Sequence, residues 1–418
     1  MSSIEMCSEP EVVERGPALE SVDPELLGVF APNKKAPIHR WVTFTEGFSA
    51  QLVAQELASV SPDAFVFDPF GGTGTTPLMA AQLGHPAAWA EVNPYLQEVA
   101  LTKIAAVCAG PIAREAAEAE LLEALLSGSR LEVDGDHPMV KVNASRDFFP
   151  PGSAEHLVSW VRRFEACESD LARKLGRLAV ASSTIAVSNM RRAVDLRRRT
   201  IAELQQVNTN VDGAVRERVM RVIDDLRVVP VAPGSAILAS ADARALPSDL
   251  PQIDVVITSP PYLNGTNYCR NTKLELLLLK YIDSEAELGE LRSRAVTAGI
   301  NNVSRRMREP DDLPEVRSVA AELDERGYDR RIGTMVRAYF SDMKVVLSAL
   351  RAKMASNGKL VLDIGDSRFA GIHVDTPALL AQVAEGLGWR VEVERTIRGR
   401  TAKDGGRLCQ KLLYLCLS

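Results

Sequence analysis

The chain has 418 residues, of which 46% are hydrophobic and 25% are charged. This length exceeds that of one ordinary compact domain, so we expect either two domains or a catalytic core with a large insertion. The formal net charge is −6 and the isoelectric point is about 5.6, which excludes a protein that coats polyanions through a generally basic surface. Any contact with nucleic acid must therefore be local.

The cysteine and hydropathy patterns favour a reduced, cytoplasmic location. The six cysteines include no CxxC pair, and the five histidines show no metal-ligand spacing. We therefore predict neither a disulfide framework nor a zinc site, and no other metal is expected. No segment reaches membrane-spanning length, and no apolar run follows a basic amino terminus. The protein is accordingly expected to have no membrane partner.

The hydrophobic periodicity divides the chain into an interrupted core and three other segments. Residues 1–35 mix Ser, Glu and Pro and predict a flexible amino-terminal arm. Alternating strands and helices in 36–110 and 232–418 predict a catalytic α/β core with a doubly wound, mostly parallel sheet. Residues 111–231, rich in Ala, Leu, Glu and Arg at helical spacing, predict a helical insertion. The polar segment 283–330 predicts a long loop or lid within the core.

The first chemical signal is a glycine-rich loop between a strand and a helix. A short apolar run ends at Asp68-Pro-Phe-Gly-Gly-Thr-Gly74, the glycine loop, and a helical pattern follows. Glycines let a backbone approach a ligand closely, and the helix offers N–H groups at its start. A nucleotide-phosphate site or a simple turn would have the same pattern. Asp68 favours another ligand, because a carboxylate repels phosphate and suits a ligand with an amino group.

Two further acids follow neighbouring strands. Glu91 ends the second strand about twenty residues after the glycine loop, where it could accept both hydroxyls of a ribose. A solvated carboxylate at a strand end is the alternative. Asp242 follows the next strand along the sheet and could bond an adenine amino group. With Asp68, these acids predict a nucleoside pocket without a polyphosphate.

The second chemical signal is Thr258-Ser-Pro-Pro-Tyr262, the proline turn, which directly follows an apolar strand. Two prolines cannot continue a ladder, and they fix a rigid turn where open α/β sheets bind ligands. Methylation of an exocyclic amine requires hydrogen-bond acceptors, because the lone pair is delocalised into the ring. Ser259 and the Pro260 carbonyl could accept those hydrogens, and Tyr262 could stack an extruded base. A stiffened loop without chemistry is the alternative.

Both signals resemble the motifs of one known family. The glycine loop is similar to the cofactor motif, and the proline turn to the catalytic motif, of the amino-group DNA methyltransferases, which are class I enzymes with a seven-stranded sheet. The similarity extends to Glu91-Val-Asn-Pro-Tyr95, to Asp242-Ala-Arg-Ala-Leu246 and to a flanking segment at 39–53, and it covers roughly half of the chain. The resemblance implies S-adenosylmethionine as the cofactor and a flipped DNA base as the substrate.

The resemblance also implies which residues form the site. The cofactor-binding set is Asp68, Pro69, Phe70, Gly71, Gly72, Thr73, Gly74, Thr75, Glu91, Asn93, Asp242 and Ala243. The catalytic set is Ser259, Pro260, Pro261 and Tyr262. In this family a Ser before the two prolines is more typical of cytosine N4 enzymes, whereas Asp or Asn is more typical of adenine N6 enzymes. Cytosine N4 is therefore the expected target, with adenine N6 as the alternative.

An arginine-dense stretch in the insertion is the candidate for DNA contact. Its members are Arg191, Arg192, Arg197, Arg198 and Arg199. These arginines could bind phosphates, and one could reach a guanine edge in the major groove. The alternative is a solvated helix face whose arginines pair with Asp195, Glu203 and Glu217. A smaller basic group is formed by Arg305, Arg306 and Arg308. Sequence recognition is expected from the insertion or from 283–330, because no long carboxyl-terminal segment remains for a separate recognition domain.

Other functions share parts of this pattern. An RNA methyltransferase that acts on guanine N2 could use a related proline turn. A non-catalytic DNA-recognition subunit of a modification or defence system could retain the fold, and a small-molecule methyltransferase could retain the cofactor pocket. For the preferred function, the expected partners are DNA and a cognate restriction endonuclease or a defence-system protein.

Overall fold

The computed structural model describes residues 23–44, 47–127, 131–193, 195–263, 268–303, 309–402 and 405–418. The strands in these ranges are β1 (Val66–Asp68), β2 (Pro86–Ala90), β3 (Met190–Arg192), β4 (Leu196–Arg198), β5 (Ser235–Ser240), β6 (Ile253–Thr258), β7 (Met354–Gly365), β8 (Ser367–Phe369), β9 (Ile372–Val374), β10 (Trp389–Thr401) and β11 (Arg407–Leu417). The α-helices are α1 (Ala50–Leu57), α2 (Thr75–Leu83), α3 (Pro94–Cys108), α4 (Pro111–Leu126), α5 (Pro138–Arg146), α6 (Ser153–Glu165), α7 (Asp170–Ser183), α8 (Ile201–Leu204), α9 (Val211–Val228), α10 (Tyr268–Asn271), α11 (Lys273–Leu278), α12 (Glu285–Arg294), α13 (Pro314–Arg326), α14 (Arg331–Arg351) and α15 (Thr376–Gly386).

Seven strands form the central sheet, in the order β10-β11-β7-β6-β1-β2-β5. Strand β11 runs antiparallel to both of its neighbours, and the remaining pairs are parallel. Side chains of β1 alternate between the two faces of this sheet: Val66 joins the apolar cluster of α1 and α2, whereas Phe67 joins the cluster of α14. The prediction of a doubly wound, mostly parallel seven-stranded sheet is therefore confirmed.

The insertion between β2 and β5 packs as its own helical layer beside α3. Buried apolar side chains of α4, α6, α7 and α9, among them Leu121, Leu157, Leu175 and Val222, form one cluster with those of α3. The arginine-dense stretch does not belong to these helices. It forms the hairpin of β3 and β4, in which Met190 pairs with Arg198 and Arg192 with Leu196. The alternative interpretation of this stretch as a helix face is therefore wrong.

The segment 283–330 differs from the loop that its polarity predicted. It contains α12, which Ser284 caps through the Glu287 N–H, and α13, which begins at Pro314. Apolar side chains at helical spacing are buried along both helices: Leu288, Leu291, Val316, Ala320 and Leu323. Each helix has only a narrow apolar stripe among many charged residues, so the polar composition led to the prediction of a loop. Arg305, Arg306 and Arg308 lie outside the described residues.

The amino-terminal segment also differs from the prediction where it is described. Leu27, Phe30 and Asn33 are buried. The Asn33 side chain donates to the Phe48 carbonyl and accepts from the Ala50 N–H, so it fixes the start of α1. Residues 23–35 are thus packed against the core rather than extended as an arm. Among the described residues, every helix is too short or too polar to cross a bilayer.

Candidate functional site

The carboxyl ends of β1, β2, β5 and β6 border one pocket of about 1100 Å³, including the part that is open to solvent. Of the predicted cofactor and catalytic residues, those that line this pocket are Asp68, Pro69, Phe70, Gly71, Gly72, Thr73, Thr75, Glu91, Asn93, Asp242, Ala243, Ser259, Pro260 and Pro261. The structure therefore brings the glycine loop and the proline turn together in a single cleft. Gly74 and Tyr262 do not line the pocket.

The glycine loop passes close to the next strand and helix. A Cβ atom at Gly71 would lie 2.6 Å from Cδ1 of Trp89, and one at Gly74 would lie 2.8 Å from Cβ of Ala100. Gly74 also has a φ of +85° at the position before α2, in the left-handed region that favours glycine. Larger residues at either position would displace the loop from β2 and α3. The close packing of the glycine loop places the first residue of α2, Thr75, at the pocket, where a helix has free N–H groups.

Asp68 joins the glycine loop to the proline turn. Its Oδ1 atom accepts hydrogen bonds from the Phe70 N–H at 2.9 Å and from the Thr258 hydroxyl at 2.7 Å. Burial raises the pKa of Asp68 to about 6, although both hydrogen bonds favour its charged form. The carboxylate is thus held at the wall of the pocket by donors from β6 and from its own loop.

Glu91 is fixed through both of its carboxylate oxygens. Oε2 accepts from the Gly72 N–H at 2.9 Å, and Oε1 accepts from the Asn93 N–H at 2.8 Å. Burial raises the pKa of Glu91 to about 7. Each oxygen can accept a further hydrogen bond, so the carboxylate can receive two neighbouring hydroxyls.

Two polar side chains of α3 and its start, Asn93 and Lys103, stabilise the segments around the glycine loop. Asn93 caps α3 through the Tyr95 N–H, and its amide donates to the Thr272 hydroxyl at 2.7 Å. Lys103 on α3 is buried and donates to the Thr73 carbonyl at 3.1 Å. Burial lowers the pKa of Lys103 to about 7. The sequence reasoning missed Lys103, for which the signal was a lysine within the apolar pattern of α3.

Asp242 makes contacts that its predicted role did not include. Its carboxylate accepts from Nε and Nη2 of Arg244, at 2.9 and 3.0 Å. The same guanidinium donates to Asp342 at 3.1 Å and to the Arg294 carbonyl at 2.6 Å. Asp342 in turn accepts from the Thr297 N–H at 2.9 Å. Asp242 thus belongs to an ion-pair network that holds the segment after α12 against the pocket.

That segment supplies a wall of the pocket that the sequence reasoning had placed in a lid. The lining residues there are Arg292 and Arg294 at the end of α12 and, after it, Ala295, Val296, Ala298 and Asn302. The flanking motif at 39–53 contributes Phe44, Gly47 and Phe48, and the lining also includes Val92, Leu96 and Cys269. Nothing in the local sequence around 292–302 distinguishes a pocket wall from a loop, because its position depends on the contacts of Asp342 and Arg244.

The Tyr262 hydroxyl belongs to a buried network beside the pocket. Gln410 on β11 donates to the Tyr262 hydroxyl at 2.8 Å, to the Asp363 carboxylate at 2.8 Å and to the Gly28 carbonyl at 2.8 Å. Burial raises the pKa of Asp363 to about 7, against the hydrogen bonds from Gln410 and Tyr262. The Arg400 guanidinium lies 5.8 Å from the centre of the Tyr262 ring. This network fixes the end of the proline turn.

The five arginines of the insertion contact groups of their own chain and do not line the pocket. Arg191 and Arg197 both pair with Glu203, and Arg192 pairs with the buried Glu275. Arg198 donates to the Asp147 carbonyl at 3.2 Å, and Arg199 to the Ser188 carbonyl at 3.1 Å. Of the carboxylates expected as partners, Glu203 fills that role, whereas Asp195 pairs with Arg270 and Glu217 with Arg221. No group of three or more potential metal ligands occurs among the described residues.

The seven-stranded sheet and the pocket at the carboxyl ends of its strands agree with the class I methyltransferase fold that the sequence predicted. Over 432 residues, the chain is 24% identical to the type II methyltransferase M.AvaI of Nostoc sp., an alignment that covers 93% of this chain and 87% of the relative. The M.AvaI protein of Anabaena variabilis gives the same values. The type II methyltransferase M.BsoBI of Geobacillus stearothermophilus is 23% identical, covering 91% of this chain and 84% of the relative. No protein-family model matches the chain.

Two solved structures were also compared. TrmN from Thermus thermophilus has a TM-score of 0.32 at 13% identity and covers 88% of this chain and 48% of its own. The glycopeptide N-methyltransferase MtfA in complex with S-adenosylmethionine has a TM-score of 0.29 at 9% identity, and the alignment covers 90% and 91% of the two chains. The type II relatives confirm the predicted similarity to this group of methyltransferases.

Proposed function

We propose that the chain transfers a methyl group from S-adenosylmethionine to an exocyclic amino nitrogen of a flipped base in DNA, with cytosine N4 as the first choice. The observation that carries this proposal is the shared pocket: Ser259 and Pro260 line the same cleft as Gly72 and Glu91. A methyl donor on the glycine loop and an acceptor at the proline turn would therefore meet without passing through solvent.

The lining fits each part of the cofactor. The Asp68 carboxylate suits the amino group of the methionine moiety, and Glu91 suits the two ribose hydroxyls. Ala243 and Val296 supply an apolar wall for the adenine ring. Gly71 allows the loop to lie against Trp89, where a Cβ atom would collide, and this packing keeps the loop at the wall of the pocket.

The residues of the proline turn supply acceptors for the amine. The Ser259 hydroxyl and the Pro260 carbonyl accept the two amino hydrogens, which favours a tetrahedral nitrogen with an available lone pair. When bound, S-adenosylmethionine supplies an electrophilic methyl group on a sulfonium. The hydrogen bond to Ser259 passes the proton that the methylated nitrogen releases on to the solvent of the open pocket, because a serine hydroxyl is too weak a base to keep it, and Pro261 keeps the turn rigid. Tyr262, which does not line the pocket, positions the turn through its hydrogen bond with Gln410; a base that stacks on its ring would lie beside the pocket rather than within its lining.

The deciding experiment identifies the methylated nucleoside. Unmodified plasmid DNA is incubated with the protein and methyl-labelled cofactor, digested to nucleosides and separated by mass spectrometry. We expect N4-methylcytosine, and N6-methyladenine would support the adenine alternative instead. A parallel reaction with tRNA tests the guanine N2 alternative. No labelled nucleoside from DNA, with cofactor binding intact, would overturn the proposal and favour the non-catalytic subunit.

The type II relatives suggest a partner as well. We propose that a restriction endonuclease with the same recognition sequence accompanies this protein. DNA that has been methylated by the protein should then resist cleavage by that endonuclease at every shared site. Cleavage of fully methylated DNA would exclude this partner and leave the methyl-transfer proposal unaffected.

A further inference from the structure

The hairpin of β10 and β11 extends beyond the sheet beside the proline turn. The last pair between β11 and β7 is Gln410 with Gly365, whereas β10 and β11 remain paired up to Thr401 with Arg407. The two strands therefore continue as a ribbon past the carboxyl end of β7. Strand β7 is the neighbour of β6, which carries the proline turn. The ribbon consequently lies at the same edge of the sheet as the catalytic residues.

This ribbon is basic in an acidic protein. Between residues 395 and 411 the sequence has six basic residues and one acidic residue, of which Lys403 and Asp404 lie outside the described residues. The described basic residues are Arg395, Arg398, Arg400, Arg407 and Lys411. The whole chain has a formal net charge of −6. Lys411 pairs with Glu394. Arg407 is exposed and Arg398 is half-buried, so two guanidinium groups at the end of the ribbon remain accessible to a ligand.

Arg400 ties the ribbon to the catalytic residues. Its guanidinium lies 5.8 Å from the centre of the Tyr262 ring and donates to the Asp366 carbonyl at 3.3 Å. A Cβ atom at Gly365 would lie 2.3 Å from Nη2 of Arg400, so the side chain rests on the backbone of β7. The position of the ribbon is therefore fixed relative to the proline turn.

The register places the two accessible arginines on opposite faces of the ribbon. Arg398 and Arg400 share one face, because alternate residues of a strand point to the same side. Arg407 lies opposite Thr401 and shares its face, which is the other one. The major groove of DNA admits a two-stranded ribbon, and arginines on its two faces can then reach phosphates of both flanking strands. The base edges lie deeper in the major groove than the phosphates, so these two arginines are expected to contact phosphates rather than bases.

We propose that Arg398 and Arg407 bind backbone phosphates of duplex DNA beside the flipped base, an inference that rests on the proposed function. Three strand spacings separate β6 from β10 in the sheet, which amounts to about 14 Å. That distance corresponds to about four base steps along the duplex. The ribbon thus holds the DNA flanking the target base, and the five arginines of the insertion keep their contacts within the protein.

The test uses the full chain with its cofactor and a fluorescent duplex that contains the target sequence. Binding is measured by anisotropy between about 50 and 200 mM salt, for the wild type and for a double variant with Arg398→Gln and Arg407→Gln. Each lost phosphate contact should reduce the slope of log K against log salt by about 0.9, so we expect a reduction of about 2. The single variant Arg407→Gln, at an exposed position, should reduce the slope by about half as much as the double variant does.

The matched control is Arg390→Gln, on the same strand but about 26 Å from Arg398. Its side chain pairs with Glu392 and is exposed. It should leave the slope unchanged, and cofactor binding should be unchanged in all variants. A double variant that methylates and binds DNA with the slope of the wild type would overturn this inference alone. A wild type that methylates no DNA would overturn the proposed function, and a loss confined to tRNA binding would assign the ribbon to RNA.

Discussion

The Thr258 hydroxyl donates a hydrogen bond of 2.7 Å to the Asp68 carboxylate, and this bond joins the ends of β6 and β1. Thr258 directly precedes Ser259, and Asp68 begins the glycine loop. This buried contact therefore couples the two sides of the pocket. A change at Thr258 should consequently affect the cofactor, although Thr258 belongs to the catalytic segment.

Thr258→Val keeps the shape of the side chain and removes the hydroxyl. The pKa of Asp68 is already raised to about 6 by burial, and loss of this donor should raise it further. A larger protonated fraction near neutral pH binds an ammonium group less well. We expect the Kd for S-adenosylmethionine to rise about tenfold, equivalent to about 1.4 kcal/mol, in calorimetric titrations. Thr258→Ser is the control and should bind as the wild type does. Equal affinities for all three proteins would contradict the coupling.

Cofactor binding should also depend on the ionisation of Glu91. Burial raises the pKa of Glu91 to about 7, whereas hydroxyl donors favour its charged form. Binding of a ribose should therefore release a proton, and the affinity should increase as the pH rises from 6 to 8. We expect about a tenfold gain over this range. The suitable probe is 5′-methylthioadenosine, which keeps the ribose and lacks the titrating amino acid.

Glu91→Gln is the matched variant for this pH dependence. The amide cannot ionise, so its affinity for the same probe should be lower at pH 8 and nearly constant between pH 6 and 8. Titrations in two buffers of different ionisation enthalpy would count the released protons. A wild type without proton release, or a Gln variant with the same pH slope, would exclude Glu91 as the ribose acceptor.

Ser259→Ala should separate chemistry from binding. The hydroxyl lines the pocket at the end of β6, across from the cofactor residues. Loss of this acceptor should lower the single-turnover rate on duplex DNA by about 100-fold and leave the Kd for the cofactor unchanged. Tyr262→Phe, which keeps the ring and removes the bond with Gln410, should have a smaller effect on the rate. Normal methylation by the Ser259→Ala variant would refute the assigned role.

The parts of the molecule that the sequence predicted correctly are those with local signals. The glycine loop follows one short apolar strand, and the proline turn follows another. The apolar runs and the glycine and proline residues after them were therefore enough to place both segments at strand ends. The rule that parallel strands present their carboxyl ends at one edge then brought the two turns together. The pocket around Asp68 and Ser259 required no information beyond this.

The parts that the sequence did not reveal depend on distant contacts. Gln410 joins Gly28, which is 382 positions away, to Tyr262 and Asp363. Asp342 holds the wall near Thr297 from a helix 45 positions later in the chain. Neither contact leaves a periodic pattern in its own neighbourhood. The packing of the amino-terminal segment and of 283–330 was mispredicted for the same reason.

Asp363 should make stability depend on pH. Its pKa is raised by burial to about 7, above the ordinary value of 3.8 that it regains on unfolding. The folded state therefore holds the proton more tightly between these values, and its contribution to stability is present below pH 3.8 and lost as the pH rises through 7. The slope should be at most about 1.4 kcal/mol per pH unit. The free energy of unfolding is measured in urea for the wild type and for Asp363→Asn from pH 5 to 7. It should change less with pH in the variant. Parallel slopes would contradict the prediction.

Arg192 was predicted to bind DNA, but its contact with Glu275 indicates a structural role. The Glu275 side chain is 1% exposed and that of Arg192 is 24% exposed. Removal of one partner from such a pair leaves a buried charge uncompensated, so Arg192→Gln should lower the free energy of unfolding by about 3 kcal/mol. Arg191→Gln, whose side chain is 53% exposed and pairs with Glu203, should cost less than about 1 kcal/mol. Both variants should retain the salt dependence of DNA binding, because each guanidinium is already paired with a carboxylate of its own chain. An Arg192→Gln protein of normal stability with a reduced salt slope would instead restore the original prediction of a phosphate contact.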